Sequence, residues 1–295
     1  MKTQGKTITL FLMDGDATGR IKTKLSNSTV LVYRIPRGAL DSCDDMSVLD
    51  QSGVYLLFGV DGNTGKEAVY IGQAGIRKNG KGVLYRLKEH RRDAQKDFWT
   101  EALVITTSDD SWGPTEISWL ENQFTNLAIS AKRYVVKNNN EPSLGHVTEE
   151  KESELSEFTE KALIVVGVLG HQGFNPLLPK PSYPEIGNAN QSLEFFLSSR
   201  NGVSARGRLT HEGFVLCAGS VLRKELLKSA SDSTRHLREQ HRGDVDDQNR
   251  TTKDLLFTSP SGASSFVLGG SSNGRRDWKT KEGKVLAEVE NNEIH

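Results

Sequence analysis

The chain predicts an α/β fold: a small mixed, mostly antiparallel sheet flanked by helices, with an additional C-terminal α+β domain. Three observations lead there. β-Branched and aromatic runs at 54–60 and 69–73 flank Asp61-Gly62-Asn63-Thr64-Gly65-Lys66, a segment suited to a hairpin turn. Helical patterns follow at 83–96 and from 115 or 116 to about 132. Beyond a Pro/Gly/Asn-rich passage reaching Asn190, strand and helix signals begin again.

In chain order, residues 1–50 read as an N-terminal β-rich extension, strand-like at 7–13 and 30–35 with a turn at Asp14-Gly15. Residues 51–142 form the central module, which holds the hairpin, a basic helix, a strand at 102–107 and a second helix. Residues 143–190 read as an acidic linker and a connecting strand at 162–169. Residues 191–295 form the C-terminal domain, with a strand at 213–218 and a charged helix at 221–242. There Ser259-Pro260 opens a short helix, as serine followed by proline does at a helix start.

Side chains alternate along a strand, so Tyr55 shares a face with Leu57, while Val54, Leu56 and Phe58 point the other way. If residue 57 pairs with residue 70, Tyr55 and Tyr70 become diagonal neighbours on one face, roughly 7–8 Å apart. In the basic helix, Val83, Leu84 and Leu87 are the apolar contacts, and Arg86 and His90 share a face at i, i+4. On the later helix, Thr115 is the expected N-cap, and Ile117, Leu120, Phe124, Leu127, Ala128 and Ala131 form its apolar stripe. Glu116 and Glu121 flank that stripe at similar offsets, and periodicity does not choose between them. The helix dipole explains an acid at 116 more simply than one in the interior at 121.

Gly53-Val54-Tyr55 followed by Tyr70-Ile71-Gly72 resembles the signature of the GIY-YIG nuclease superfamily, with valine in place of isoleucine in the first tripeptide. The resemblance implies metal-dependent endonucleolytic cleavage of DNA. It makes Tyr55 the general base, with Tyr70 positioning water or phosphate. Arg86 would contact the scissile phosphate, and His90 would lie beside it. Glu121, in its Leu120-Glu121 context, would be the ligand of Mg²⁺ or another divalent cation such as Mn²⁺. Asn138, first of the Asn138-Asn139-Asn140 run, matches an asparagine that often follows this helix in the family. With Lys88, Arg91 and Arg92 it is expected to face DNA. The pattern Phe257-x-Ser259-Pro260-Ser261, Gly269-x-Ser271-x-Asn273-Gly274 and Trp278-Lys279 resembles a domain of unknown function found C-terminal to such modules in bacterial proteins.

These residue types suit one chemistry. Phosphodiester hydrolysis needs an activated water, neutralised charge at phosphorus and a stabilised leaving oxygen. A carboxylate can hold a hard cation, and a guanidinium can fork onto phosphate oxygens. A free phenol has a pKa near 10, so Tyr55 as base requires a neighbouring cation. The rival reading is a catalytically weak nucleic-acid-binding module in a larger assembly, which keeps the basic helix without needing Tyr55 or Glu121.

Other chemistries find no motif. There is no Cys-x-x-Cys, His-Glu-x-x-His or Gly-x-x-x-x-Gly-Lys-Ser/Thr. Cys43 and Cys217 read as reduced thiols. With 35% hydrophobic and 26% charged residues the chain reads as soluble and rather polar. The apolar run at 162–169 is too short to cross a bilayer, and the N-terminus lacks signal-peptide features, so a cytoplasmic protein with no membrane partner is expected. The formal net charge of +0 hides an uneven distribution: residues 77–96 hold eight Lys/Arg against Glu89 and Asp93, whereas 141–161 holds seven Glu against Lys151 and Lys161. Local fields steer phosphates, so DNA remains the expected partner. The sequence leaves room for a homo-oligomer and for a protein partner at the C-terminal domain.

Overall fold

A computed structural model describes residues 5–77, 80, 82–138, 144–178, 193–199 and 201–292. The chain divides into two compact units, Met1–Pro176 and Leu177–His295.

In the first unit the strands are β1 (Ile8–Leu12), β2 (Ile21–Leu25), β3 (Val30–Pro36), β4 (Gly53–Val60), β5 (Glu67–Ala74), β6 (Trp99–Thr107) and β7 (Val135–Val136). They form one sheet in the order β1-β2-β3-β6-β4-β5-β7. Every pairing is antiparallel except β5 with β7. The helices are α1 (Val83–Arg92), α2 (Pro114–Ala131) and α3 (Glu149–Val168). On one face of the sheet Val54, Leu56, Val69, Ile71, Leu103 and Ile105 pack against α2 and α3. On the other, Tyr55, Leu57, Ala102 and Val104 pack against α1 and against 3₁₀ segments at Arg37–Cys43 and Ser47–Asp50.

The expected hairpin forms in the expected register, with Leu57 opposite Tyr70. Its turn is held by Asp61, whose carboxylate accepts from the Thr64 backbone N–H (3.1 Å) and hydroxyl (2.6 Å), while Gly65 takes a left-handed φ of 65°.

In the first unit four expectations need correction. Residues 1–50 are no separate extension, because β3 pairs along its whole length with β6 in the centre of the sheet. They also contain a third strand, β2, whose Ile-Lys-Thr-Lys-Leu alternation places Ile21, Thr23 and Leu25 inside. The expected linker and its strand at 162–169 are instead the long helix α3. Thr148 caps it, and Leu155, Phe158, Ala162, Val165 and Val166 form a helical stripe into the core. The basic helix stops at Arg92 rather than at 96, because the Asp93 carboxylate accepts from the Gln95 N–H and starts a 3₁₀ turn, Ala94–Lys96. Finally, α2 begins at Pro114 with Gly113, not Thr115, at the N-cap. The boundaries placed at 142 and 190 lie outside the described residues.

The second unit contains β8 (Glu194–Ser198), β9 (Ser204–Thr210), β10 (Gly213–Leu216) and β11 (Leu255–Phe257), with α4 (Asp232–Gln240), α5 (Pro260–Leu268), α6 (Gly274–Asp277) and α7 (Leu286–Asn292). Its antiparallel sheet runs β11-β10-β9-β8. Phe195, Leu197, Phe214, Leu216, Phe257, Phe266 and Trp278 form its core. The predicted helix start holds, since the Ser259 hydroxyl accepts from Gly262 N at 3.1 Å. The helix expected at 221–242 shrinks to α4. Val221 is committed to backbone bridges with Ser204 and Arg250, and Ser231 caps the helix at Thr234.

Candidate active site

The geometry starts from two glycines. Gly72 lies opposite Tyr55 across the hairpin, and a Cβ there would sit 2.3 Å from the Tyr55 hydroxyl. The phenol therefore lies across bare backbone. Gly82, just before α1, packs so closely on the Asp50 carbonyl that a Cβ would approach its oxygen to 2.2 Å, which seats the helix against the sheet.

That seat brings His90 and Arg86 over the tyrosines. The Tyr55 hydroxyl is 2.7 Å from His90 Nε2 and close enough to Arg86 and Tyr70 for both to act on its ionisation. The ring centroids of Tyr55 and Tyr70 are 6.3 Å apart, and each lies 5.4 Å from that of His90. Tyr55 is 1% exposed. Burial raises its pKa above the ordinary phenol range, with Tyr70 adding to this, and Arg86 offsets only part of the shift. The requirement for a neighbouring cation is thus met by Arg86 in position but not in magnitude. Burial, reinforced by Lys96 and Arg86, pushes His90 down to about 4, so its imidazole is neutral at ordinary pH.

Glu121 arrives from the opposite face of the sheet. Strand β7 covers β5 only at Ala68 and Val69, and Asn138 extends that ladder by one step. Its side chain accepts from Ile71 N (3.0 Å) and donates to Ile71 O (2.7 Å). Beyond this no further strand pairs with β5 on that side among the described residues, and Glu121 on α2 lies close enough to Gln73 there to be stabilised by it. Burial raises its pKa, while Gln73 and then Arg86 work against the rise. Glu116 is committed elsewhere, since it accepts from Gly113 N at 2.9 Å and closes the N-terminus of α2.

The structure sorts the basic residues. Arg86 is paired with Glu89 at 2.8 Å, and Glu89 is also held by both guanidinium nitrogens of Arg77 at 2.9 and 3.0 Å. Arg77 and then Arg86 pull Glu89 down to about 2. Lys88 is paired with Asp44, and Arg91 with Asp41 at 2.8 and 2.9 Å. Arg92 is exposed and makes no ion pair among the described residues. Lys78 and Lys81 lie outside those residues, as do Asn139 and Asn140. The sequence reading undercounted the local acids, because Asp41 and Asp44 come from a distant segment.

Two contributors were missed. Lys96 lies over the Tyr70 ring, Nζ 3.5 Å from the centroid, and burial followed by Arg86 lowers it to about 8. It sits beyond the helix break at Asp93, where helical spacing carries no signal. Gln73, which stabilises the Glu121 carboxylate, follows Tyr70-Ile71-Gly72 directly and was legible only as a strand end.

No cluster of three or more His, Cys, Asp or Glu side chains suited to a metal occurs among the described residues. The donor set is one oriented carboxylate, Glu121. It fits a hard cation that keeps most of its waters, as Mg²⁺ does, and does not fit a closed zinc site.

Comparison with known proteins defines a class only for the second unit: residues 195–290 match the family model of a domain of unknown function (DUF4357). This agrees with the resemblance expected for the C-terminal region. No curated protein and no solved structure matches the chain.

Proposed function

We propose that the first unit is a metal-dependent endonuclease of GIY-YIG type that hydrolyses phosphodiester bonds in DNA. The observation that carries this reading is the convergence of Tyr55, Tyr70, Arg86 and His90 on one face, with the Glu121 carboxylate near enough for its charge to act on both tyrosines.

The Tyr55 hydroxyl meets neutral His90 and donates to it when the imidazole carries its proton on Nδ1. As general base Tyr55 would first have to lose its phenol proton to solvent, and the resulting phenolate would lie beside Arg86 and could deprotonate an attacking water. Tyr70 orients that water or the phosphate. Arg86 is preorganised by Glu89 to meet charge developing on the phosphate oxygens. Glu121 would hold Mg²⁺ or Mn²⁺, which supplies neutralisation of phosphate and leaving-oxygen charge.

One observation favours the binding-only reading: the Tyr55 phenol is held above, not below, its ordinary range. The deciding experiment is incubation of the purified chain with supercoiled and linear DNA, with and without Mg²⁺. Metal-dependent nicking is expected, and binding without turnover at any divalent concentration selects the rival.

A further inference from the structure

We propose that the outward face of the C-terminal sheet binds single-stranded nucleic acid, with Phe196 as its stacking platform. Neighbours in a strand point to opposite faces. Phe195 and Leu197 are buried in the core, so the half-buried Phe196 between them faces outward.

Its cross-strand partners are cations. Phe196 lies opposite Arg206 on β9. On its other side it exchanges backbone hydrogen bonds of 2.7 and 2.9 Å with Lys279. Directly opposed antiparallel residues share a face, so Lys279, Phe196 and Arg206 form one row. Lys281 approaches the same ring, Nζ 5.9 Å from its centroid. Arg208 stands two residues along β9 on the same side.

Among the described residues of the row itself, Glu194 is the carboxylate. It is paired with Arg208 and is 3.9 Å from Arg206. Arg208 first, then Arg206 and Lys281, hold it below the usual carboxylate range. Glu282 beside Lys281 and Asp254 near Cys217 lie at its margin, so the four cations and Glu194 in the row leave its centre positive, with a flat aromatic in the middle. A polyanion satisfies the charge, and unpaired bases satisfy the ring. A duplex hides its base faces from a flat sheet. An acidic peptide meets the charge but offers nothing to stack. The inference stands apart from the chemistry proposed for the first unit.

The test uses the full chain in EDTA with a fluorescent single-stranded oligothymidine, read by anisotropy and by ultraviolet cross-linking. Phe196→Leu, which keeps apolar bulk but removes the ring, is expected to weaken binding about tenfold. Arg206→Ala combined with Lys281→Ala is expected to reduce the salt slope by about 1.4, two phosphates at roughly 0.7 each. The cross-linked peptide should contain Phe196. The proposal is overturned if Phe196→Leu, folded by its melting temperature, binds like the parent. It is also overturned if the cross-links map only to the first unit, or if duplex or oligoglutamate competes as well as the single strand.

Discussion

The Tyr55 hydroxyl lies 2.7 Å from His90 Nε2 with both side chains buried, so strand β4 and helix α1 share one buried side-chain hydrogen bond. Tyr55→Phe removes the proton and preserves the ring. Turnover is expected to fall on the order of 10²–10⁴-fold with DNA affinity nearly unchanged. Normal cleavage by this variant in a nicking assay would make the phenol structural.

His90 links the site to pH-dependent stability. Its pKa of about 4 lies below the unfolded value of 6.5, so the unfolded chain binds more protons between these limits. Stability therefore rises with pH through that window, is complete above about 6.5 and is lost as pH falls towards 4. The contribution is on the order of 3 kcal/mol at most. Urea unfolding from pH 4 to 7 should show a steeper slope for the parent than for His90→Asn, and equal slopes would rule this out.

Glu121 and Glu116 should separate activity from folding. Glu121→Ala is expected to abolish Mg²⁺-dependent nicking with the fold intact. Glu116→Ala should leave turnover near normal and cost about 1 kcal/mol, the scale of a lost helix cap. Nicking rates and melting curves of both variants check this, and the opposite pattern would mean the wrong glutamate holds the metal.

The cations should likewise act differently. Arg86→Ala loses a preorganised donor worth about 3–4 kcal/mol in the transition state and mainly lowers turnover. Arg92→Ala should weaken DNA binding across sequences and shrink the salt slope by about one. Arg91, held by Asp41, should contribute less to that slope than Arg92. Salt titrations and single-turnover rates on the three variants distinguish these outcomes.

Gly72→Ala tests the bare backbone beneath Tyr55. A Cβ 2.3 Å from the hydroxyl forces the ring to move, and overpacking of this kind typically costs about 1–3 kcal/mol. Activity should fall at least as far as in Tyr55→Phe, with a lower melting temperature as well. A variant with parental activity and stability would mean that the ring does not need this space.

The sequence made the hairpin, its register and the Tyr55–Tyr70 pairing legible, because alternation and turn chemistry are local. It misread 162–169 as a strand because an apolar run of that length has no distinctive period. The Thr148 cap and acidic first turn that commit it to helix lie well upstream. Asp41 and Asp44, which neutralise Lys88 and Arg91, are more than forty residues away in the chain, a pairing that only the tertiary fold creates. Asn138 was legible by position, yet its amide is committed to the Ile71 backbone. Periodicity placed Glu116 and Glu121 alike beside the apolar stripe, and only the helix start at Gly113, whose N–H takes up Glu116, tells them apart.

The place of β6 between β3 and β4 orders events during synthesis. When residue 98 leaves the ribosome, the nascent chain holds two strand groups, β1 to β3 and β4 with β5, with no strand yet joining them. Strand β6 must then insert between partners already made, a closure of high sequence separation that slows folding. Until it does, Tyr55 has no finished floor, and Glu121 has no folded α2 to stand on. A site assembled in this order is complete only once the sheet has closed, whatever the order in which its residues were made.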